Sequence, residues 1–197
     1  VHTVTLSGAS AVATTHSFSL SGVSATAGAD FSTTAVFSDG VTLAAGVLTV
    51  PAGVTSFTVS VPTLQDTIDE PAETTSIVVG GVSASGTITD DDLPPTITTV
   101  EPGSAGVGDD AVVEGTSLVY NVALSNASST DTIYPLVLSA GSALLTSDYT
   151  NALTFSAGVS LSGGNVTVPA GVTSFTVTVP TVNDAINEPS PETFTLS

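Results

Sequence analysis

The octapeptide Val-Pro-Ala-Gly-Val-Thr-Ser-Phe occurs twice, at residues 50–57 and again at 168–175. A chain that repeats itself folds into repeated units, and each unit has to bury an apolar face of its own. The same offset of 118 residues carries Asp30-Phe31 onto Asp148-Tyr149, Phe37-Ser38 onto Phe155-Ser156, and 66–71 onto 184–189. One extra residue near Ser190-Pro191 then brings Glu73 onto Glu192. Inside each copy the hydrophobic period is two. Phe57, Val59 and Val61 alternate with Thr58 and Ser60, and Phe175, Val177 and Val179 do likewise. That spacing describes antiparallel strands with one face inward and one outward. Leu48-Thr49-Val50 runs into Pro51-Ala52-Gly53 before the alternation resumes, which reads as a hairpin turn.

Further strands are predicted at Val1–Ser7, Ser17–Ser21, Ser76–Val79 and Ser83–Thr89, then at Thr96–Val100, Ser117–Leu124 and Leu136–Leu138. No stretch keeps a helical period or follows a cap with an amphipathic run. Many short strands with turn signals every ~10 residues predict an all-β chain of two tandem β-sandwiches. The expected domains are 1–93 and 94–197, with Leu93-Pro94-Pro95 as a short stiff linker. Against the repeat, the first copy lacks an opening strand and the second a closing one. The expectation is a piece of a longer array, with strands lent by neighbouring chains as the alternative.

Charge narrows the function. The chain has 18 Asp and Glu, two His, no Lys, no Arg and no Cys, giving a formal charge of −18. Nucleic-acid affinity comes mainly from basic residues neutralising phosphates, so nucleic acid is not an expected partner. No apolar run approaches the ~20 residues that span a bilayer, and no basic n-region precedes an apolar core, so neither membrane insertion nor a signal peptide is expected. Schiff-base chemistry, P-loops and thiolate nucleophiles all need residues that are lacking. His2 and His16 suit catalysis near neutral pH, but the repeat puts Tyr120 and Tyr134 in their places. With no Trp and three Tyr, an aromatic-lined sugar cleft is poorly supported as well. The chain is not expected to be an enzyme.

The carboxylates cluster instead. Asp30, Asp66, Asp69, Glu70, Glu73 and Asp90-Asp91-Asp92 fall in the first copy, and Glu114, Asp148, Asp184, Glu188 and Glu192 in the second. Four acidic positions recur: Asp30 with Asp148, Asp66 with Asp184, Glu70 with Glu188, Glu73 with Glu192. Strand ends at Pro62 and Thr89 place these groups in loops that could meet at one tip. Neighbouring carboxylates repel unless protonated or bridged by cations. Hard oxygen ligands in irregular loops favour calcium, which takes 6–8 of them. The plainer reading is a set of solvated acidic turns. Recurrence at a fixed offset and the absence of basic counter-charge weigh against it.

The run Asp66-Thr67-Ile68-Asp69-Glu70-Pro71-Ala72-Glu73, then Gly86 to Asp92, resembles a Calx-β domain. So do Val113-Glu114-Gly115-Thr116 and Asp148-Tyr149 in the second copy. The resemblance covers essentially the whole chain and implies immunoglobulin-like Greek-key sandwiches that bind Ca2+ at one tip. It implies as ligands Asp30, Asp66, Glu70, Glu73, Asp90, Asp91 and Asp92, with the Ile68 carbonyl. In the second copy it implies Glu114, Asp148, Asp184, Glu188 and Glu192, with the Ile186 carbonyl. Gln65 and Asn183 stand where the family often has Asp, which implies fewer ions per site. Asp109 and Asp110 either join the cluster or flank a loop. The Thr/Ser/Gly/Val/Ala composition without Lys or Arg is similar to the repeats of large bacterial RTX-type biofilm adhesins. The expectation is an extracellular, cell-surface extender whose partners are neighbouring repeats of the same chain, or like chains by strand exchange. A domain that binds sugar or protein directly, and a subunit of a strand-complemented filament, are the alternatives.

Overall fold

Alternation along the chain becomes inside and outside in the fold. Phe57 and Val59 are buried while Thr58 and Ser60 are half-exposed, and Phe175, Val177 and Val179 repeat the pattern. The computed structural model describes residues 1–103, 111–187 and 191–197. They form two compact units, one of residues 1–66 and 71–91, the other of 92–197 with the short turn 67–70.

The first unit holds β1 (His2–Thr5), β2 (Thr14–Gly22), β3 (Val36–Phe37), β4 (Thr42–Ala44), β5 (Val47–Val50), β6 (Ser56–Ser60), β7 (Glu73–Val79) and β8 (Val82–Ile88). Two antiparallel sheets result, ordered β1-β6-β3 and β4-β5-β2-β7-β8. Leu48, Val50, Phe57, Val59 and Ile77 fill the space between them, and Phe18 meets Phe37 edge-on at 5.2 Å. This is a β-sandwich, with each sheet contributing its inward residues to one core.

The second unit holds β9 (Ile97–Pro102), β10 (Leu118–Leu124), β11 (Thr132–Pro135), β12 (Leu138–Ala140), β13 (Thr154–Phe155), β14 (Ser160–Ser162), β15 (Asn165–Val168), β16 (Ser174–Val179) and β17 (Phe194–Leu196). Its sheets run β13-β16-β10-β9, β11-β15-β14 and β12-β17. The registers repeat those of the first unit at the sequence offset. His2 faces Val59 as Tyr120 faces Val177, and Thr14 faces Val50 as Thr132 faces Val168. Beyond the inserted residue, Leu20 faces Ile77 as Leu138 faces Leu196. The duplication read in the sequence is therefore a duplication of strand pairings.

One expectation is corrected. The Val-Pro-Ala-Gly turn is not a hairpin, because β5 pairs with β2 and β4 while β6 pairs with β1 and β3, in the opposite sheet. Val54 N–H donates to the Pro51 carbonyl at 3.3 Å and Gly53 has φ 83°, so the turn itself is tight. It carries the chain over the core from one sheet to the other. Alternation plus a turn looks the same for both connections. Val50 and Phe57 both point inward, and burial on facing sheets satisfies them as well as burial on one. The three-residue strands β4 and β14 go beyond the strands expected from the sequence. All their residues are exposed, so no apolar alternation marks them.

Core truncation should separate inside from outside on a single strand. Leu48 is 0% exposed and its neighbour Val47 is 42% exposed. Leu48→Ala should cost about 2–5 kcal/mol in urea unfolding, and Val47→Ala under about 1 kcal/mol.

Candidate metal centre

Asp30 sits in a tight loop built to hold it. Its backbone N–H donates to the Thr26 carbonyl at 3.0 Å, and Thr26 N–H donates to Asp30 Oδ2 at 2.5 Å. The next residue, Phe31, is buried at 1% exposure and bridges Thr63, while Leu64 N–H donates to the Asp30 carbonyl. The aromatic anchor therefore brings the 26–31 loop against the 62–66 segment. Asp30 and Asp66 each offer a carboxylate oxygen, and these oxygens lie within 4.8 Å of each other; Glu70, in the 67–70 turn, belongs to the other unit. Asp30 is only 7% exposed, so its charge is expensive to keep unless a donor or a cation faces it.

Asp90, Asp91 and Asp92 form a second group of the same dimension. Gln65 Nε2 donates to both oxygens of Asp91, at 3.1 and 3.2 Å. Gln65, singled out in the sequence as a missing carboxylate, is thus a neutral fork on a charged neighbour. The role was readable in principle: without Lys or Arg, amides are among the few side-chain N–H donors the chain has. Glu73 was expected in a loop and instead opens β7, opposite Ile88 on β8. Ile68 lies exposed in the turn after Asp66.

The second unit repeats the loop. Leu144 N–H donates to Asp148 Oδ2, Asp148 N–H to the Leu144 carbonyl, and Val182 N–H to the Asp148 carbonyl. Tyr149 takes the place of Phe31, buried, bridging Thr181 and stacked on Phe194 at 4.6 Å. Thr181 hydroxyl donates to the Thr116 carbonyl, which ties the Glu114 turn to the 181–184 segment. Gly115, at φ 80°, closes that contact, since a Cβ there would stand 2.8 Å from Asn183 Cβ. Asp184 caps the following turn by accepting from Ile186 N–H at 2.7 Å; Ile186 itself is exposed. Glu188, Asp109 and Asp110 lie outside the described residues.

Four of these second-copy carboxylates act on one another. The Glu192 carboxyl is held above its ordinary value, first by desolvation, then by the Asp148 charge and a hydrogen bond to it, then by Glu114 and Asp184. A hydrogen bond between two carboxyl groups needs a proton on one of them, and Glu192 is the group pushed toward holding it. The donor set around Glu192 is entirely hard oxygen, which fits calcium and fits softer metals poorly. His2 and His16 lie elsewhere, along a groove between β1 and β8.

Other carboxylates are accounted for without a metal. Asp69 Oδ2 accepts from Ser128 Oγ at 2.8 Å, and its backbone pairs with Ala127 and Ser129. Asp131 accepts from Ala170 N–H at 3.1 Å. These two do not recur as acidic residues at the repeat offset.

The raised Glu192 carboxyl carries a pH sign. Above the ordinary carboxyl value the folded chain holds this proton to higher pH than the unfolded chain does. Stability therefore falls as pH rises through that window and is recovered as pH drops. Metal-free protein should unfold at higher urea at about pH 5 than at about pH 7. Glu192→Gln should flatten that slope, and an unchanged slope in the variant would contradict the assignment.

No family model matches the chain, and no curated protein matches it. Among solved structures, the crystal structure of CBD12 from CALX1.2, a Calx-beta domain, aligns with 91% of this chain and 66% of its own length. The identity is 17% and the TM-score 0.36. The chain thus spans about two thirds of that structure.

Proposed function

We propose that the chain is a pair of calcium-binding β-sandwich repeats that act as structural extenders of a bacterial cell-surface adhesin. The observation that carries the reading is the cluster around Glu192. Desolvation, then Asp148, Glu114 and Asp184, hold its carboxyl above the ordinary value, in a chain with no Lys or Arg to offset them. Asp30 and Asp66 repeat the Asp148 and Asp184 positions in the first copy, again with their carboxylates close together. An arrangement kept twice, with its charge uncompensated, suits an external divalent cation better than it suits a solvated turn.

Calcium would act by linkage. It binds loops ordered by folding and not the unfolded chain, so it stabilises the fold in proportion to its occupancy. Extracellular sites of the weaker class bind at about 10⁻⁴–10⁻³ M, which matches an extracellular setting. Ions at Asp90 to Asp92 would sit directly before Leu93-Pro94-Pro95 and stiffen that linker. The product of such a device is reach, projecting a distal binding region for adhesion or biofilm formation, with no catalytic step.

Thermal unfolding with calcium, magnesium or EGTA tests this. At about 100 times Kd, calcium should add about 2.7 kcal/mol, a rise of about 10 °C or more for units of this size. Magnesium, which demands near-octahedral geometry, should add much less. Asp30→Asn and Asp148→Asn keep the shape of each loop and should each remove part of the calcium increment. A melting temperature indifferent to calcium would leave the acidic clusters as solubility devices.

A further inference from the structure

The two aspartate loops follow one path. Gly28 N–H donates to the Phe31 carbonyl at 2.9 Å, and Thr146 N–H to the Tyr149 carbonyl at 2.7 Å. Each loop is also closed by its aspartate, which accepts from the N–H four residues before it at 2.5 Å. That shared path needs a left-handed residue at its middle, where Gly28 has φ 87° and Thr146 φ 76°. Glycine adopts this conformation freely, whereas a β-branched residue adopts it rarely and at a cost. Among the described residues, the other non-glycine residues at positive φ are Asp39, Ala45 and Ala157. None of them is β-branched, and all lie outside these two loops. A Cβ built on Gly28 would meet nothing within 4 Å, so the cost at this position lies in the backbone and not in crowding.

We infer that Thr146 makes the second loop a strained clasp, which opens locally more readily than the same loop would with glycine there. Two contacts hold Thr146 in a conformation it would otherwise leave. Tyr149 is buried and stacked on Phe194 at 4.6 Å, and Leu144 N–H ties the Asp148 carboxylate across the loop. Strain over-determined in this way persists in the closed loop and is released on opening, which lowers the free energy of that opening. Asp148 is half-buried where Asp30 is buried, so water also reaches the second carboxylate more readily. Thr146 is a positioning residue: its side chain is exposed, and it acts through the backbone on Asp148. The clasp itself involves no metal. Its consequence for calcium rests on the function proposed above: an ion held by Asp148 leaves through the opened loop, so Thr146 sets how fast the second unit empties.

The test is amide hydrogen exchange of the full chain without metal, read at Asp148 and at Val182, whose N–H donates to the Asp148 carbonyl. Thr146→Gly should slow both by about threefold to tenfold, the strain relieved less the extra freedom of an unfolded glycine. Asp30 and Leu64 in the first unit should not change. Gly28→Thr, which has room for its side chain, should speed those two by a similar factor. Thr146→Asn should fall between, since asparagine tolerates the left-handed region. Ser147→Gly, at a residue without positive φ, should not slow exchange. Unchanged or faster exchange in Thr146→Gly, or equal slowing by Ser147→Gly, would overturn the clasp. Calcium release is then followed by mixing the loaded chain with EGTA. All three tyrosines, Tyr120, Tyr134 and Tyr149, lie in the second unit, so their fluorescence reports that unit. Release should slow in Thr146→Gly, and an unchanged rate from a calcium-loaded chain would overturn the release role. Slowed exchange in a chain that binds no calcium would support the clasp and contradict the calcium function.

Discussion

Eighteen carboxylates without a Lys or Arg leave the chain with N–H groups, hydroxyls, protons and external cations as the only means of settling negative charge. Much of the loop structure follows from that constraint. Asp30 and Asp148 take the N–H four residues before them, Asp184 takes the N–H two residues after, and Asp131 takes Ala170 N–H. Asp69 leans on Ser128, and Asp91 on the Gln65 amide. Each such bond is stronger than a neutral one because its acceptor is ionised. Around Glu192, desolvation and the neighbouring Asp148, Glu114 and Asp184 hold the carboxyl above its ordinary value. A divalent cation would relieve that repulsion, so the same constraint that shapes the loops supports the proposed function.

The sandwiches put these loops where they meet. Period-two alternation buries Phe57 and Val59, and Phe175 and Val177, so the sheets face one another across a small apolar core. The aromatic residue after each loop aspartate, Phe31 or Tyr149, is driven inside by the same effect and drags its aspartate to the next loop. Hydrophobic burial thus assembles the polar site. Losing the anchor would scatter the carboxylates even with every one of them present.

Much of this was legible from residues alone. The repeat offset reappears in the strand registers of the two copies, because a one-residue slip would turn every side chain to the wrong face. The acidic positions that recur were legible for the same reason. Less legible was the path of the Val-Pro-Ala-Gly turn, since alternating strands on either side satisfy burial within one sheet or across two. Glu73 was assigned to a loop because nothing local shows that its backbone pairs with Ile88, a contact decided by β8. Gln65 looked like a lost ligand until its distance to Asp91 was known.

The sequence by itself determined the duplication, the all-β alternation, and the excess of negative charge with no basic partner. Those are properties of order and composition, and period and offset can be counted along a chain. Only the tertiary structure decided which carboxylates share a space and which sheet each strand joins. Those depend on contacts between residues tens of positions apart, such as Phe31 with Thr63 or Tyr134 with Pro95. Packing selects such contacts from many that the local pattern permits equally.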